Sequence, residues 1–125
     1  MLNTDKRKLV AAWIALHHAK AKSSEYDNNF WAFTALPDLC ETSPDFGWEL
    51  IEEIRKSDGS DVILANLAAG PLEELLAQHG AKFIERIEKQ AQNDEQYRKL
   101  LGAMWQNDIP DDVWKRVKRV AGPSF

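Results

Sequence analysis

The stretch Leu67-Ala68-Ala69-Gly70-Pro71-Leu72-Glu73-Glu74-Leu75-Leu76-Ala77-Gln78-His79-Gly80 decides the fold class. Leu72, Leu75, Leu76 and His79 return after three or four positions, which is the spacing of one helical face and not the alternation of a strand. Glycine followed by proline at 70–71 reads as a corner, because glycine ends helices and proline is tolerated at the first helical position. Gly80 is expected to close this helix in the left-handed conformation.

The same spacing extends in both directions. Toward the N-terminus, Leu9, Val10, Trp13, Ile14 and His17 share one face of a first helix that Thr4 can cap. An aromatic helix is expected over Asp27 to Ala35, broken at Leu36-Pro37 because proline disfavours helical geometry in the residue before it. Ser43-Pro44 restarts a helix with Phe46, Leu50, Ile51 and Ile54 inward and a Glu52–Lys56 pair outward. Ser60 caps a short helix to Ala68.

Toward the C-terminus, Phe83, Ile84, Ile87 and Ala91 mark a sixth helix. Asn93 caps a seventh with Tyr97, Leu100, Leu101, Met104 and Trp105 in a stripe. Pro110 opens the last, with Val113, Trp114, Val117 and Val120 inward. The expectation is one all-α domain over residues 1–125, a compact bundle of about seven or eight short helices or stacked hairpins of the HEAT kind.

Bulk properties narrow the class. The chain is 125 residues, 44% hydrophobic and 29% charged, enough to bury a core without disulfides. The single cysteine, Cys40, permits no intrachain bridge. Five tryptophans suit core anchors, with some available to an interface. Met1-Leu2-Asn3-Thr4-Asp5 lacks a signal-peptide core, and Leu9 to Leu16 falls well short of the ~18 residues of a membrane span. A cytoplasmic protein with no membrane span is expected.

Charge is distributed unevenly. Residues 1–22 sum to +4, residues 23–81 to −10 and residues 82–125 to +2, for a net −4. The acidic middle disfavours nucleic acid as the general partner and favours a protein with a basic surface. Asp45, Glu49, Glu52, Glu53, Asp58 and Asp61 are the expected docking acids. The alternative is phosphate contact by Lys115, Arg116, Lys118 and Arg119 on the last helix.

No residue pattern points to chemistry. His17 and His18 are adjacent and point about 100° apart on a helix, a poor arrangement for sharing one ion. His17 reads as a core histidine and His79 as a helix-end residue. Cys40 has Glu41 beside it, which raises a thiol pKa and does not activate it. Neighbouring acids such as Glu52 and Glu53, Glu73 and Glu74, or Asp111 and Asp112 diverge on a helix. No metal or cofactor motif occurs, and no catalytic residue, metal ligand or cofactor is expected. Gly47 and Gly102 fall inside helices, where glycine costs about 1 kcal/mol against alanine, so they mark close helix or partner approach or chance.

Ala69-Gly70-Pro71-Leu72-Glu73, Leu75-Leu76, His79-Gly80, Phe83-Ile84, Arg86-Ile87-Glu88, Tyr97-Arg98, Leu100-Leu101 and Met104-Trp105 together resemble an uncharacterised family of small bacterial domains. Leu39-Cys40 and the segment from Trp48 to Ile54 are compatible with it, so the resemblance spans about residues 28–106. It implies a helical domain of unknown function and carries no activity with it. From the residues themselves, the expected function is binding without chemistry: an immunity- or antitoxin-type protein neutralising a basic partner through its acidic face. The alternative is a nucleic-acid-associated regulator acting through the last helix.

Overall fold

The computed structural model describes residues 3–123, with side chains from Asp5. Its regular structure among the described residues is all helical: α1 (Asn3–His18), α2 (Ser24–Asn29), α3 (Trp31–Thr42), α4 (Pro44–Ser57), α5 (Asp61–Leu67), a π-helical turn (Ala68–Leu72), α6 (Glu73–Gln92), α7 (Glu95–Gly102) and α8 (Asp111–Val120). The expected all-α bundle is therefore present. Thr4, the expected cap, has its side chain outside the described residues.

One core runs through the bundle. Trp13 of α1, Leu36 of α3, Ile51 and Ile54 of α4, Leu67 of α5, Leu72 and Leu76, and Phe83 of α6 are all essentially inaccessible. Burial of a large apolar side chain contributes about 1.5–3 kcal/mol, so these positions dominate the favourable side of folding. Trp13 and Trp48 are core anchors, and Trp114 packs against the core at its edge. Trp31 and Trp105 are exposed, and Trp105 departs from its expected place in the α7 stripe because α7 ends at Gly102.

Both internal prolines were expected to break helices, and neither does. The aromatic segment forms two helices meeting at Phe30, with α3 continuing through Pro37 to Thr42. Proline removes the N–H that would bond the Phe33 carbonyl, yet Leu36 and Cys40 on either side are fully buried and hold the helix to the core. At Gly70-Pro71 the chain turns no corner. The proline ring would clash with the Leu67 carbonyl in a regular turn. A widened π-turn relieves that clash while Ala68, Pro71 and Leu72 stay buried. Such turns recur at functional sites.

The expected helix end at Gly80 is a kink instead. His79 takes φ −135° and ψ 25° within α6, and its Nε2 lies 2.6 Å from the Glu41 carbonyl. No glycine among the described residues has positive φ. Gly80 marks a close approach: a Cβ there would meet both Val113 methyls at 3.0 Å, where α8 crosses α6. Gly47 works the same way between α3 and α4, with a Cβ falling 2.8 Å from the Cys40 Cα. A Cβ on Gly102 would lie 2.5 Å from the Gly122 carbonyl oxygen, where the C-terminal segment returns over α7.

Caps differ in detail from expectation. Ser43 and Ser60 occupy cap positions without a side-chain bond to the helix. Asp94, not Asn93, caps α7, accepting from the Tyr97 N–H at 3.0 Å. Ser23 caps α2 through the Tyr26 N–H at 3.1 Å.

Candidate functional site

The acids expected to form a docking face are mostly engaged inside the molecule. Glu52 lies against Arg55 (both contacts 2.8 Å), displacing the expected Glu52–Lys56 pair. Arg55 Nη1 also donates to Asp94 at 2.9 Å and Gln96 at 3.0 Å, and the guanidinium sits 4.9 Å from the Tyr97 ring centroid. Arg55 is only 4% exposed, so this network clasps α4 to α7 in the interior. Burial works against the ionised Asp94 carboxyl. Bonds from Gln90 and the Tyr97 N–H, together with Arg55, still hold its pKa below the ordinary value.

The other acids are shared out similarly. Asp45 pairs with Lys82 at 3.1 Å, Asp61 with Lys99 at 2.5 Å and Asp58 with His18 at 2.7 Å. Glu53 borders a shallow groove shared with Lys6 and Arg7. Glu49 is exposed on α4 one turn from both Asp45 and Glu53. Among the expected phosphate-binding cations, Arg116 is held by Glu88 (2.9 and 2.5 Å) and Lys118 lies 5.6 Å from the Trp114 ring centroid. Lys115 and Arg119 are exposed. Cys40 is fully buried, and burial, then the Glu74 charge, pushes its thiol up to about 12, far from a nucleophile at neutral pH.

A different place gathers acidic, amide and aromatic side chains. A groove of about 790 Å³ opens where α1, α3 and the π-turn meet the Ala103–Ile109 segment. Its walls include Trp13, His17, Phe33, Pro37, Asn66, the Ala69–Pro71 backbone, Glu73, Glu74, Asn107 and Asp108. The volume is in the range of about 300–1,000 Å³ typical of ligand sites. Three carboxylates line it, and no lysine or arginine is among the described lining residues.

Glu73 organises one side. It is 7% exposed, and its carboxylate accepts from the Trp105 N–H at 2.9 Å and the Asn107 amide at 2.6 Å. Burial pushes its pKa up, and those two bonds oppose the shift without cancelling it. Asn107 has φ 46°, a left-handed geometry that asparagine tolerates better than most residues. Gln106 adds bonds to the Ile109 carbonyl at 3.1 Å and to Asp111 at 2.6 Å. The segment is thus fastened from both ends while presenting Trp105 at 74% exposure.

His17 forms part of the opposite side. Its ring packs 4.1 Å from the Trp13 ring, and its Nε2 is buried without a partner. Burial, then the neighbouring His18, lowers its pKa below the ordinary 6.5. The folded chain therefore resists protonation at His17 more than the unfolded chain does. Stability is expected to fall as pH drops from about 6.5 toward the lower folded value. Urea unfolding at pH 8 and pH 5 should show a smaller acid loss in His17→Gln than in the parent; an equal loss would show that His17 does not contribute.

Sequence reading missed this groove because its walls come from segments as far apart as Trp13 and Asp108. The available signal was Pro71 inside an otherwise helical face.

Among the described residues, no three of His, Cys, Asp and Glu come close enough together to hold a metal ion. No helix there is long and apolar enough to cross a membrane. Neither curated proteins nor solved structures provide a match to the chain. One sequence family does, over residues 19–124, extending the 28–106 resemblance through α8. The chain belongs to the family of unknown function DUF6869.

Proposed function

We propose that this chain is a binding protein without chemistry of its own, of the immunity or antitoxin kind. It takes up a positively charged protein partner at the groove bordered by Glu73, Glu74 and Asp108. The observation that carries this reading is charge placement: of the acids expected to dock, Asp45, Glu52 and Asp61 each pair with a lysine or arginine of the chain itself, whereas the groove acids have no lysine or arginine among the described lining residues. Exposed Phe33 and Trp105 lie at or beside the groove, and such aromatics are the usual anchors of protein interfaces. Complementary charge would also speed the encounter and make it salt-sensitive.

The test is affinity capture at low salt from the organism that makes the chain, followed by binding measurements with the recovered protein. Reversing Glu74 and Asp108 to lysine is expected to weaken binding about tenfold or more, equivalent to about 1.4 kcal/mol. Reversing Glu49 and Glu53 should change it much less. The opposite ranking would return the docking face to α4. Recovery of nucleic acid, lost on replacing Lys115 and Arg119, would move the function to α8.

A further inference from the structure

We propose that Phe30, Trp31 and Phe33, at the junction of α2 and α3, form the contact between two copies of this chain, paired antiparallel about a two-fold axis. The inference is independent of the partner reading: it concerns the chain alone, and the groove acids take no part.

Five large apolar side chains stand exposed among the described residues, and Phe30 (42%), Trp31 (43%) and Phe33 (49%) are neighbours in sequence. The chain keeps helical geometry through Phe30 (φ −60°, ψ −27°). At about 100° per residue, Trp31 and Phe33 then flank Phe30 on the side away from the buried Ala32, Leu36 and Cys40. The Phe30 ring stacks on Phe33 at 5.3 Å with 11° between the planes, and it lies 5.6 Å from Tyr26. This ridge is set before any contact, which keeps the ordering cost of association low. α2 buries none of its six residues. A helix that short is stabilised by packing more than by its own hydrogen bonds, and a second copy over the ridge would add packing that the single chain leaves out.

Charge selects the occupant. Lys20 and Lys22 precede the ridge, and Asp38 and Glu41 follow it. All four are exposed, and none enters an ion pair among the described residues. The exposed Glu25 and Asp27 follow the lysines in sequence, and Asp5 and Lys8 border Trp31 with one charge of each sign. A strongly basic or acidic protein, or an anionic bilayer, would meet its own sign along this rim. A second copy turned end for end brings its Lys20 and Lys22 toward Asp38 and Glu41, and the two-fold axis repeats the match. A parallel copy would set like charges together.

The area fits a modest dimer. An aromatic side chain offers about 150–250 Å², so three rings left close to half exposed supply roughly 250 Å² per copy. That is near a third of the ~800 Å² each partner gives to a standard interface, an apolar core to be completed by the charged rim.

The experiment is sedimentation velocity of the full chain at low salt, over about 1–500 µM, where a reversible dimer with a Kd of roughly 10–100 µM is expected. Phe30→Ser combined with Trp31→Ser should remain monomeric throughout while keeping the parent's circular dichroism. Asp38→Lys with Glu41→Lys should weaken self-association about tenfold or more, and so should Lys20→Glu with Lys22→Glu. Mixing these two charge variants should restore the dimer, since each presents the sign the other lost.

A parent chain that stays monomeric, or a dimer that survives the aromatic double variant, would overturn the proposal. A monomer that sediments with phosphatidylserine vesicles, and loses them in the aromatic variant, would overturn it in favour of a bilayer contact. Charge variants that fail to recover on mixing would overturn the antiparallel pairing.

Discussion

Replacing Arg55 with alanine is expected to destabilise the fold by about 3–5 kcal/mol, because removing one member of a buried ionic network leaves the others uncompensated. Glu52 would lose two bonds and Asp94 one, and the Tyr97 ring would lose the cation above it. Tyr97 is completely buried, and its hydroxyl has no partner. Against a total stability of about 5–15 kcal/mol for an ordinary domain, the loss would lower the urea midpoint severely. Arg55→Met should recover part of it by refilling the volume. Unfolding curves of the two variants and of Glu52→Gln check this. A loss below about 1 kcal/mol for Arg55→Ala would show that the network is not a clasp.

Gly47→Val is expected to cost about 3 kcal/mol, at the upper end for overpacking. Glycine inside α4 is intrinsically unfavourable by about 1 kcal/mol, so propensity alone would predict a gain on substitution. Geometry reverses the sign. The first carbon added meets the Cys40 Cα at 2.8 Å and the Cys40 nitrogen at 3.0 Å, both main-chain atoms of α3 that cannot swing aside. A branched residue adds two methyl groups to that clash. Thermal unfolding of Gly47→Ala and Gly47→Val should rank them parent, alanine, valine in falling stability. A stabilised alanine variant would show that α3 and α4 separate readily.

Helix positions were legible because they depend on local periodicity, and the inward faces of α1, α4, α6 and α8 match the buried residues. The prolines misled for a definite reason. Local rules assign Pro37 and Pro71 to breaks, but the burial of Leu36, Cys40, Ala68 and Leu72 outweighs the loss of a hydrogen bond or two. Gly80 misled similarly, since glycine signals either a left-handed cap or a close approach, and only the position of Val113 distinguishes them.

Charge was the least legible property. Summing residues 23–81 to −10 treats acids near in sequence as near in space. Folding instead places Asp45 on Lys82 and Asp61 on Lys99, cations roughly forty positions away. The groove acids carry no local signal in the sequence, because the fold property that sets them apart is the company they keep. An uncharacterised family is what the sequence resembles, and the match over residues 19–124 shows that the last helix belongs to the family unit too.

The fastening of residues 103–109 to Glu73 has a kinetic consequence. A recognition loop that must settle on contact loses conformational freedom at that moment, which weakens the complex and slows its formation. Here Trp105 is exposed on a segment whose bends are fixed beforehand by the Glu73, Asn107 and Gln106 bonds. Most of the ordering entropy is then charged to folding and little is left for the encounter. A partner meeting this surface would find its anchor in place at first collision, so variation in affinity among partners would reside chiefly in how long they stay.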